Sequence, residues 1–349
     1  MKTDFLIIGG GAIGMSSAIA LLEEGYNVVL IDRNATGAEA SWAGGGILSP
    51  LCSWDYTVAV TDLSERSMRM FEKTAAQLFD DTGIDTEYQK CGMLLLPPFQ
   101  SERASAWCSK HQVRLQNVSL DDLLPGMQGE GLFMPDISQV RNPRLLEALR
   151  RRVEMLGGRI LEQHEALRFE TSGDRICGLD TNQGKLVAGA YIVAAGAWSK
   201  VLLGEHALGM EVRPIRGQML LFKFDVPPFP SILLQESVYF IPRKDGHVLV
   251  GSTLEDVGFD KSTTTEALEH LLKRVQALFP DWPSPVRHWA GLRPGSPDNI
   301  PTIGRHPHLA NLYANCGHFR YGVTMSPASA ELLLDAINGR PDPTYRWHA

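Results

Sequence analysis

Gly9-x-Gly11-x-x-Gly14 is the feature that most restricts this chain. It stands between an unbroken apolar run, Phe5-Leu6-Ile7-Ile8, and a stretch from Ala12 to Glu24 that reads as a helix closed by Gly25. A second apolar run, Val28 to Ile31, follows and ends at Asp32. Short runs with no polar face suit strands of a parallel sheet covered on both sides, so the segment reads as a β-α-β unit that opens a doubly wound sheet. Each glycine has a task there. Gly9 permits the tight turn, Gly11 lets backbone N–H groups approach a pyrophosphate, and Gly14 lets helix and sheet pack closely. The helix start brings partial positive charge to the phosphates, and Asp32 accepts from ribose hydroxyls while repelling a 2′-phosphate. The motif by itself does not separate an NAD site from an FAD site.

The same stretch has a rival reading. From Phe5 to Leu22 no side chain is charged, and Ala18-Ile19-Ala20 imitates an export cleavage site. Four glycines interrupt the run and Lys2 alone supplies its positive flank, so neither export nor a membrane helix is expected. The composition agrees with a globular chain: 349 residues, 44% hydrophobic and 21% charged, with 33 Gly and 21 Pro. At roughly 150 residues per domain that length suggests two domains. A net charge of −7 with no long basic stretch gives a phosphate-backbone partner no electrostatic support, so no nucleic acid is expected and Arg150-Arg151-Arg152 reads as a solvated helix face. Five scattered cysteines (Cys52, Cys91, Cys108, Cys177, Cys316) with no C-x-x-C predict neither a disulfide framework nor structural zinc, and point to the cytoplasm. His306-x-His308 reads as a polar turn, and no metal is expected.

Further along, Asn142-Pro143 reads as an N-cap and first helical position, with Gly157-Gly158 beyond the end. Tyr191 to Ala195 reads as a buried strand reaching Gly196. Leu268, Leu271, Leu272, Val275 and Phe279 form the core face of a helix. Ser326-Pro327 reads as the start of a helix running to Asn338. Runs rich in strand formers at 86–96, 212–225 and 236–254 have no matching helices, and Lys244-Asp245-Gly246 marks a hairpin.

Directly after the second strand comes Glu39 to Ile47, where Gly44-Gly45-Gly46 lets backbone approach a flat ligand. In these residues, in Gly9 to Gly14, in Ala194-Ala195-Gly196-Ala197-Trp198, in Trp289-Ala290-Gly291-Leu292-Arg293-Pro294 and in Gly317-His318-Phe319-Arg320-Tyr321-Gly322, the chain resembles the D-amino acid oxidase family of flavoproteins. It is most similar to the glycine oxidase branch, which serves thiazole (thiamine) synthesis in bacteria. The match runs from end to end, and the two C-terminal blocks are its most specific part.

The resemblance implies noncovalent FAD, held by Gly9, Gly11, Ala12, Ile13, Gly14, Asp32, Arg33, Ala40, Ser41, Gly44, Gly45, Gly46, Ala166, Ala195, Gly196, His318, Arg320, Tyr321, Gly322, Val323 and Thr324. Relatives that tether flavin do so through cysteine, and no cysteine lies in Ala290 to Pro297; Cys316 reads as a buried strand-end residue. Arg293 would bind the substrate carboxylate, with Tyr239, Arg320, Tyr321 and Leu254 around it. A planar guanidinium suits that task because its fork fixes distance and orientation together. Tyr321 stands where the branch usually has Asn, and Leu254 where it commonly has Met, which leaves the identity of the small amine open.

The activity implied is oxidative deamination: hydride from Cα to flavin N5, reoxidation by O2 to hydrogen peroxide, and hydrolysis of the imine, so that glycine yields glyoxylate and ammonia. A D-amino acid or sarcosine-type oxidase or dehydrogenase, a flavin domain acting on modified tRNA, and a non-catalytic flavin module are the alternatives. Small amino acid and O2 are the expected partners, and oligomeric state is left open, a homo-oligomer included. The motifs near residues 9, 196 and 320 would lie in one domain. The expected fold is therefore α/β, a Rossmann-like FAD-binding domain (1–85, 139–214 and 290–349) interleaved with an α+β substrate domain (86–138 and 215–289) on an antiparallel sheet.

Overall fold

Strands β1 (Phe5–Ile8) and β2 (Val28–Ile31) are buried along their whole length and pair in parallel, with Phe5 opposite Val28. Helix α1 (Ala12–Glu23) joins them, and Gly25 takes the left-handed conformation beyond its end at φ +85°. The structure, a computed structural model, describes residues 2–348. In it β1 is a central strand of a six-stranded sheet, flanked by β2 and Arg159–Leu161 on one side and by Ala190–Val193, Leu312–Cys316 and Thr302–Arg305 on the other. All pairs are parallel except the last, whose strand closes the edge antiparallel. Beginning, middle and end of the chain therefore meet in one sheet. One face is covered by α1, Asn142–Met155 and the C-terminal helix Gly322–Ile337, which share a core with Met15, Leu145 and Leu333. The other face packs under a small antiparallel sheet of Ala166–Ser172, Arg175–Thr181 and Gly184–Leu186, through Phe169, Ile176 and Leu179.

A second sheet of eight strands lies beside the first. Its order is Arg287–Gly295, Arg213–Lys223, His247–Gly251, Val238–Pro242, Ile232–Gln235, Met93–Leu96, Glu130–Met134 and Gln116–Ser119. The turn at Lys244-Asp245-Gly246 joins two of them, with Gly246 at φ +83°. Helix Thr265–Leu278 is capped by Thr264, whose Oγ1 accepts from the Ala267 N–H, and buries Leu271 and Val275 on this sheet.

Several expectations need correction. The second sheet is not wholly antiparallel: Ile232–Gln235 runs parallel to Met93–Leu96, because the chain leaves and returns to the sheet between them. The boundaries at 214/215 and 289/290 cut through strands, since Arg213–Lys223 pairs with Arg287–Gly295 from Arg213 opposite Gly295 to Leu221 opposite Arg287. A continuous ladder cannot be divided, so both strands belong to the second sheet entire. Asn142 is the first helical residue and Arg141 the cap. Arg152 is not a solvated residue: it is largely covered, pairing with Glu23 at 2.6 Å and with Asp81.

The C-terminal helix begins at Gly322, four residues before Ser326. Pro327 is thus inside the helix, where it has no N–H for the Val323 carbonyl. The Ser326 hydroxyl donates to that carbonyl instead, at 3.0 Å. Among the described residues no helix is long and apolar enough to cross a membrane.

A Cβ on Gly14 would run into the carbonyl oxygen of Gly9. Gly14→Ala should therefore cost roughly 1–3 kcal/mol, the usual penalty of overpacking. The midpoint of urea unfolding measures it, and an unchanged midpoint would mean that the turn yields freely.

Candidate functional site

A cavity of about 440 Å³ lies between the two sheets, in the size range of ligand sites. The turn after β1 forms one wall. Gly9 holds φ +111°, and a Cβ there would strike the Ala194 carbonyl on the neighbouring strand. Asp32, at the end of β2, accepts from the Gly10 N–H at 2.8 Å and from the Asn34 N–H at 2.9 Å. Burial raises its pKa against those two hydrogen bonds, and each carboxylate oxygen keeps a further lone pair for a ligand. Ser41 accepts from the Ala12 N–H at 3.0 Å, tying the short helix Ala40–Ala43 to the start of α1. Beside Asp32, the Arg33 guanidinium lies 3.6 Å above the Trp198 ring and pairs with Glu39 at 3.1 Å.

The far end is built by the second sheet and by the loop before the C-terminal helix. Arg293 reaches it from strand Arg287–Gly295, in a space left by Gly217, where a Cβ would meet the guanidinium. The guanidinium donates to the Thr253 carbonyl at 3.1 Å, the Arg216 carbonyl at 3.5 Å and the Ser252 hydroxyl. All three acceptors are neutral, and among the described residues no carboxylate pairs with Arg293. Desolvation, reinforced by Arg320 nearby, draws its pKa below the usual arginine value. A deep cation facing a cavity without a counter-ion favours an anionic ligand there. The Tyr239 hydroxyl stands near, 3.7 Å from the Met219 sulfur. Arg320 lies over the Phe319 ring at 5.6 Å and has no ion pair among the described residues.

Tyr321 is buried, edge-on to Tyr56 with ring centroids 5.1 Å apart, and burial holds its hydroxyl protonated. His318 is buried, its Nε2 bonds the Ser329 hydroxyl at 2.8 Å, and desolvation pushes its pKa down to about 3. Burial favours its neutral form, and the Ser329 hydroxyl engages its Nε2. Gly322, Val323 and Thr324, the first turn of the C-terminal helix, face the same cavity. The Cys316 thiol is buried beside the Met210 sulfur at 3.7 Å, its pKa pushed up to about 12.

The structure brings nearly all the expected residues together. Gly9, Gly11, Ile13, Asp32, Arg33, Ala40, Ser41, Gly44, Gly45, Gly46, Ala166, Ala195, Gly196, Tyr239, Arg293, His318, Arg320, Tyr321, Gly322, Val323 and Thr324 all line the cavity. Ala12 and Gly14 stand behind its wall, buried between α1 and the turn. Leu254 does not reach it. Thr253 and Glu255 on either side bond inward to Gln218 and Arg216, which turns Leu254 outward, 53% exposed. Sequence reasoning missed Asn142 as a site residue: its amide donates to the carbonyls of Ser41 at 2.7 Å and Gly44 at 3.0 Å, holding the glycine run in place. It missed Ser252 and Gly217 too, which carry no local signal. The His306 ring accepts from the N–H groups of His308 and Leu309 at 3.0 and 2.9 Å, so H-x-H is a turn.

The sequence profile of the family described as FAD dependent oxidoreductase matches residues 4–336. A protein named glycine oxidase from Pseudomonas aeruginosa is 40% identical over 97% of this chain and 96% of its own. The protein named bifunctional protein ThiO/ThiG from Trichormus variabilis is 31% identical over 97% of this chain, which spans 53% of that longer protein. The crystal structure of glycine oxidase from Geobacillus kaustophilus superposes with a TM-score of 0.92 over 99% of this chain and 98% of its own, at 24% identity, and shares the fold.

Buried neutral His318 makes a pH prediction. Unfolded, its imidazole takes a proton below about 6.5, whereas the folded form does not until pH nears 3. The unfolded state binds more protons in that window, so stability contributed by neutral His318 falls as pH drops from about 6.5. Urea midpoints between pH 7 and pH 4 should decline less steeply for His318→Gln than for the wild type. Parallel declines would assign the acid sensitivity to other groups.

Proposed function

Since the chain belongs to the FAD-dependent oxidoreductase family, we propose that it oxidises glycine or a similarly small amino acid, with glycine, O2 and water giving glyoxylate, ammonia and hydrogen peroxide. FAD is the cofactor of the family. Its fit here is visible in the chain itself: a glycine-walled cavity, an acidic residue at the end of β2, and a helix start aimed inward. When bound, FAD supplies the two-electron acceptor that O2 regenerates. The observation that carries the substrate reading is Arg293, a deep guanidinium with only neutral partners at the end of that cavity.

In this reading Gly9 and Gly11 open the turn to the pyrophosphate, and the start of α1 lends it positive potential. Asp32 takes the ribose hydroxyls, and the Arg33–Trp198 stack borders the base end. The first turn of Gly322–Ile337 lends partial positive charge to the end where electrons arrive. Arg293 grips the substrate carboxylate with its fork, and the Tyr239 hydroxyl is the second donor beside it. Gripping the carboxylate leaves Cα and the neutral amine to be placed by geometry, and such orientation is worth several kcal/mol. Tyr321, fixed against Tyr56, narrows the space beyond Cα and favours a small side chain. Arg320, without an ion pair among the described residues, lines the same cavity.

The relative named glycine oxidase supports the reaction, and the bifunctional relative supports a place in thiazole synthesis for thiamine. Five unpaired cysteines favour the reducing cytoplasm as its site.

Purified protein should be yellow and produce peroxide with glycine, sarcosine or small D-amino acids in a coupled peroxidase assay. Protein that stays colourless and takes up no FAD would overturn the reading. Arg293→Met should keep its flavin while kcat/KM falls roughly 10²–10³-fold, mostly through KM, since removing one member of a buried charged pair costs about 2–5 kcal/mol. An unchanged KM would remove Arg293 from the carboxylate.

A further inference from the structure

Arg243 is a charged residue of the interior that the function above does not use. It follows strand Val238–Pro242 and is only 4% exposed. Its guanidinium donates to the Val140 carbonyl at 2.8 Å, the Gln139 side-chain oxygen at 2.7 Å and the Gly45 carbonyl at 2.6 Å. Gln139 is held in turn, donating to the Pro242 carbonyl at 3.0 Å. Among the described residues no carboxylate pairs with Arg243. The nearby Glu87 and Asp245 are taken by Arg141, at 3.0 and 2.8 Å. Burying such a cation against neutral oxygens is costly, and the groups that offset the cost are backbone carbonyls at the cavity wall.

Those carbonyls show what Arg243 does. Gly44 O accepts from Asn142, Gly45 O from Arg243, and Gly46 O from the Val140 N–H at 2.9 Å. Arg243 and Val140 lie outside the cavity lining, so the Gly45 and Gly46 carbonyls are drawn away from the cavity. In a trans peptide the N–H points opposite to its C=O, so the Gly46 N–H, which shares a peptide with the Gly45 carbonyl, is turned toward the cavity that this glycine lines. That N–H has no acceptor among the described residues. A free donor at a wall is an electrostatic device aimed at a ligand that gains negative charge.

We infer that Arg243 is a positioning residue: by holding the Gly45 carbonyl it orients the Gly46 N–H toward the electron-accepting end of FAD, and so raises both flavin affinity and flavin reduction potential. This rests on FAD filling the main cavity. The same strand presents Tyr239 to the substrate end, so one element of the second sheet sets both flavin wall and carboxylate site.

The test compares Arg243→Met, which keeps an unbranched apolar stem and loses every donor, with Arg243→Lys, which keeps the charge and loses the fork. FAD dissociation constants by fluorescence titration of apoprotein, flavin reduction potentials and apoprotein melting temperatures are measured for both and for wild type. The expected result is FAD binding at least tenfold weaker in R243M, a more negative potential, and partial recovery of both in R243K. FAD affinity within twofold of wild type and an unchanged potential in R243M would overturn the inference. So would a loss of apoprotein stability that leaves flavin affinity and potential untouched. If R243M does not fold, R243K decides alone: a wild-type potential overturns the role, and a more negative one supports it. Wild-type protein that takes up no FAD would instead overturn the reading of the cavity.

Discussion

Gly14 stands against the carbonyl oxygen of Gly9, and Gly9 stands against that of Ala194. Helix α1, the turn and the strand Ala190–Val193 therefore meet at separations that leave no room for a Cβ. That contact sets the angle at which α1 leaves the sheet and puts its first turn at the cavity wall. It also fixes the neighbour on which the C-terminal part is built, since Leu312–Cys316 pairs with Ala190–Val193 in the next position. The loop from Gly317 to Tyr321 and the helix after it are delivered to the cavity by that pairing. A shift of the turn would move every wall of the site at once.

The second sheet answers with two long strands and one short one. Arg213–Lys223 and Arg287–Gly295 are paired over nine positions, a rigid base for Arg293, and the missing side chain of Gly217 is the space its guanidinium occupies. On Val238–Pro242 and the residue after it, Tyr239, Ile241 and Arg243 alternate onto one face. The first two pack where a Cβ on Gly45 would lie, and the third holds the Gly45 carbonyl. The electrostatics are unusual for an interior: two deep arginines, each surrounded by neutral oxygens. Arg243 is held by two backbone carbonyls and the Gln139 side chain, with its Nε unpartnered among the described residues, whereas Arg293 has three neutral acceptors and faces the cavity.

Much of this was legible in the residues. Phe5 to Asp32 announced strand, turn, helix and strand because the steric demand for glycine at a tight turn is local. The cavity residues near 40–46 and 317–324 came from resemblance, and nearly all of them line one space. Other features were not legible. Ser326-Pro327 looked like a helix start because serine and proline favour that position. A bond from the Ser326 hydroxyl to the Val323 carbonyl lets the proline sit inside instead. Asn142 looked like a cap for the same kind of local reason, and its amide instead bonds to a loop about a hundred residues away. Leu254 looked like a pocket residue, but Thr253 and Glu255 have stronger partners inside.

By itself the sequence determined that the chain opens with a dinucleotide-binding unit, that its strand-rich middle forms a separate sheet, and that a flavin chemistry was expected. Glycine spacing, apolar runs and motif blocks act over a few residues, so they can be read without the fold. Tertiary structure alone decided which charges are left without a counter-ion. Arg243 looks like many other arginines in the chain until the segments facing it are known, and Arg293 stood out only through the resemblance. Desolvation and hydrogen-bond partnership depend on residues brought from about 40 to about 200 positions away, and that is why the neutral surroundings of Arg293 and the hold on Gly45 appear only in the folded molecule.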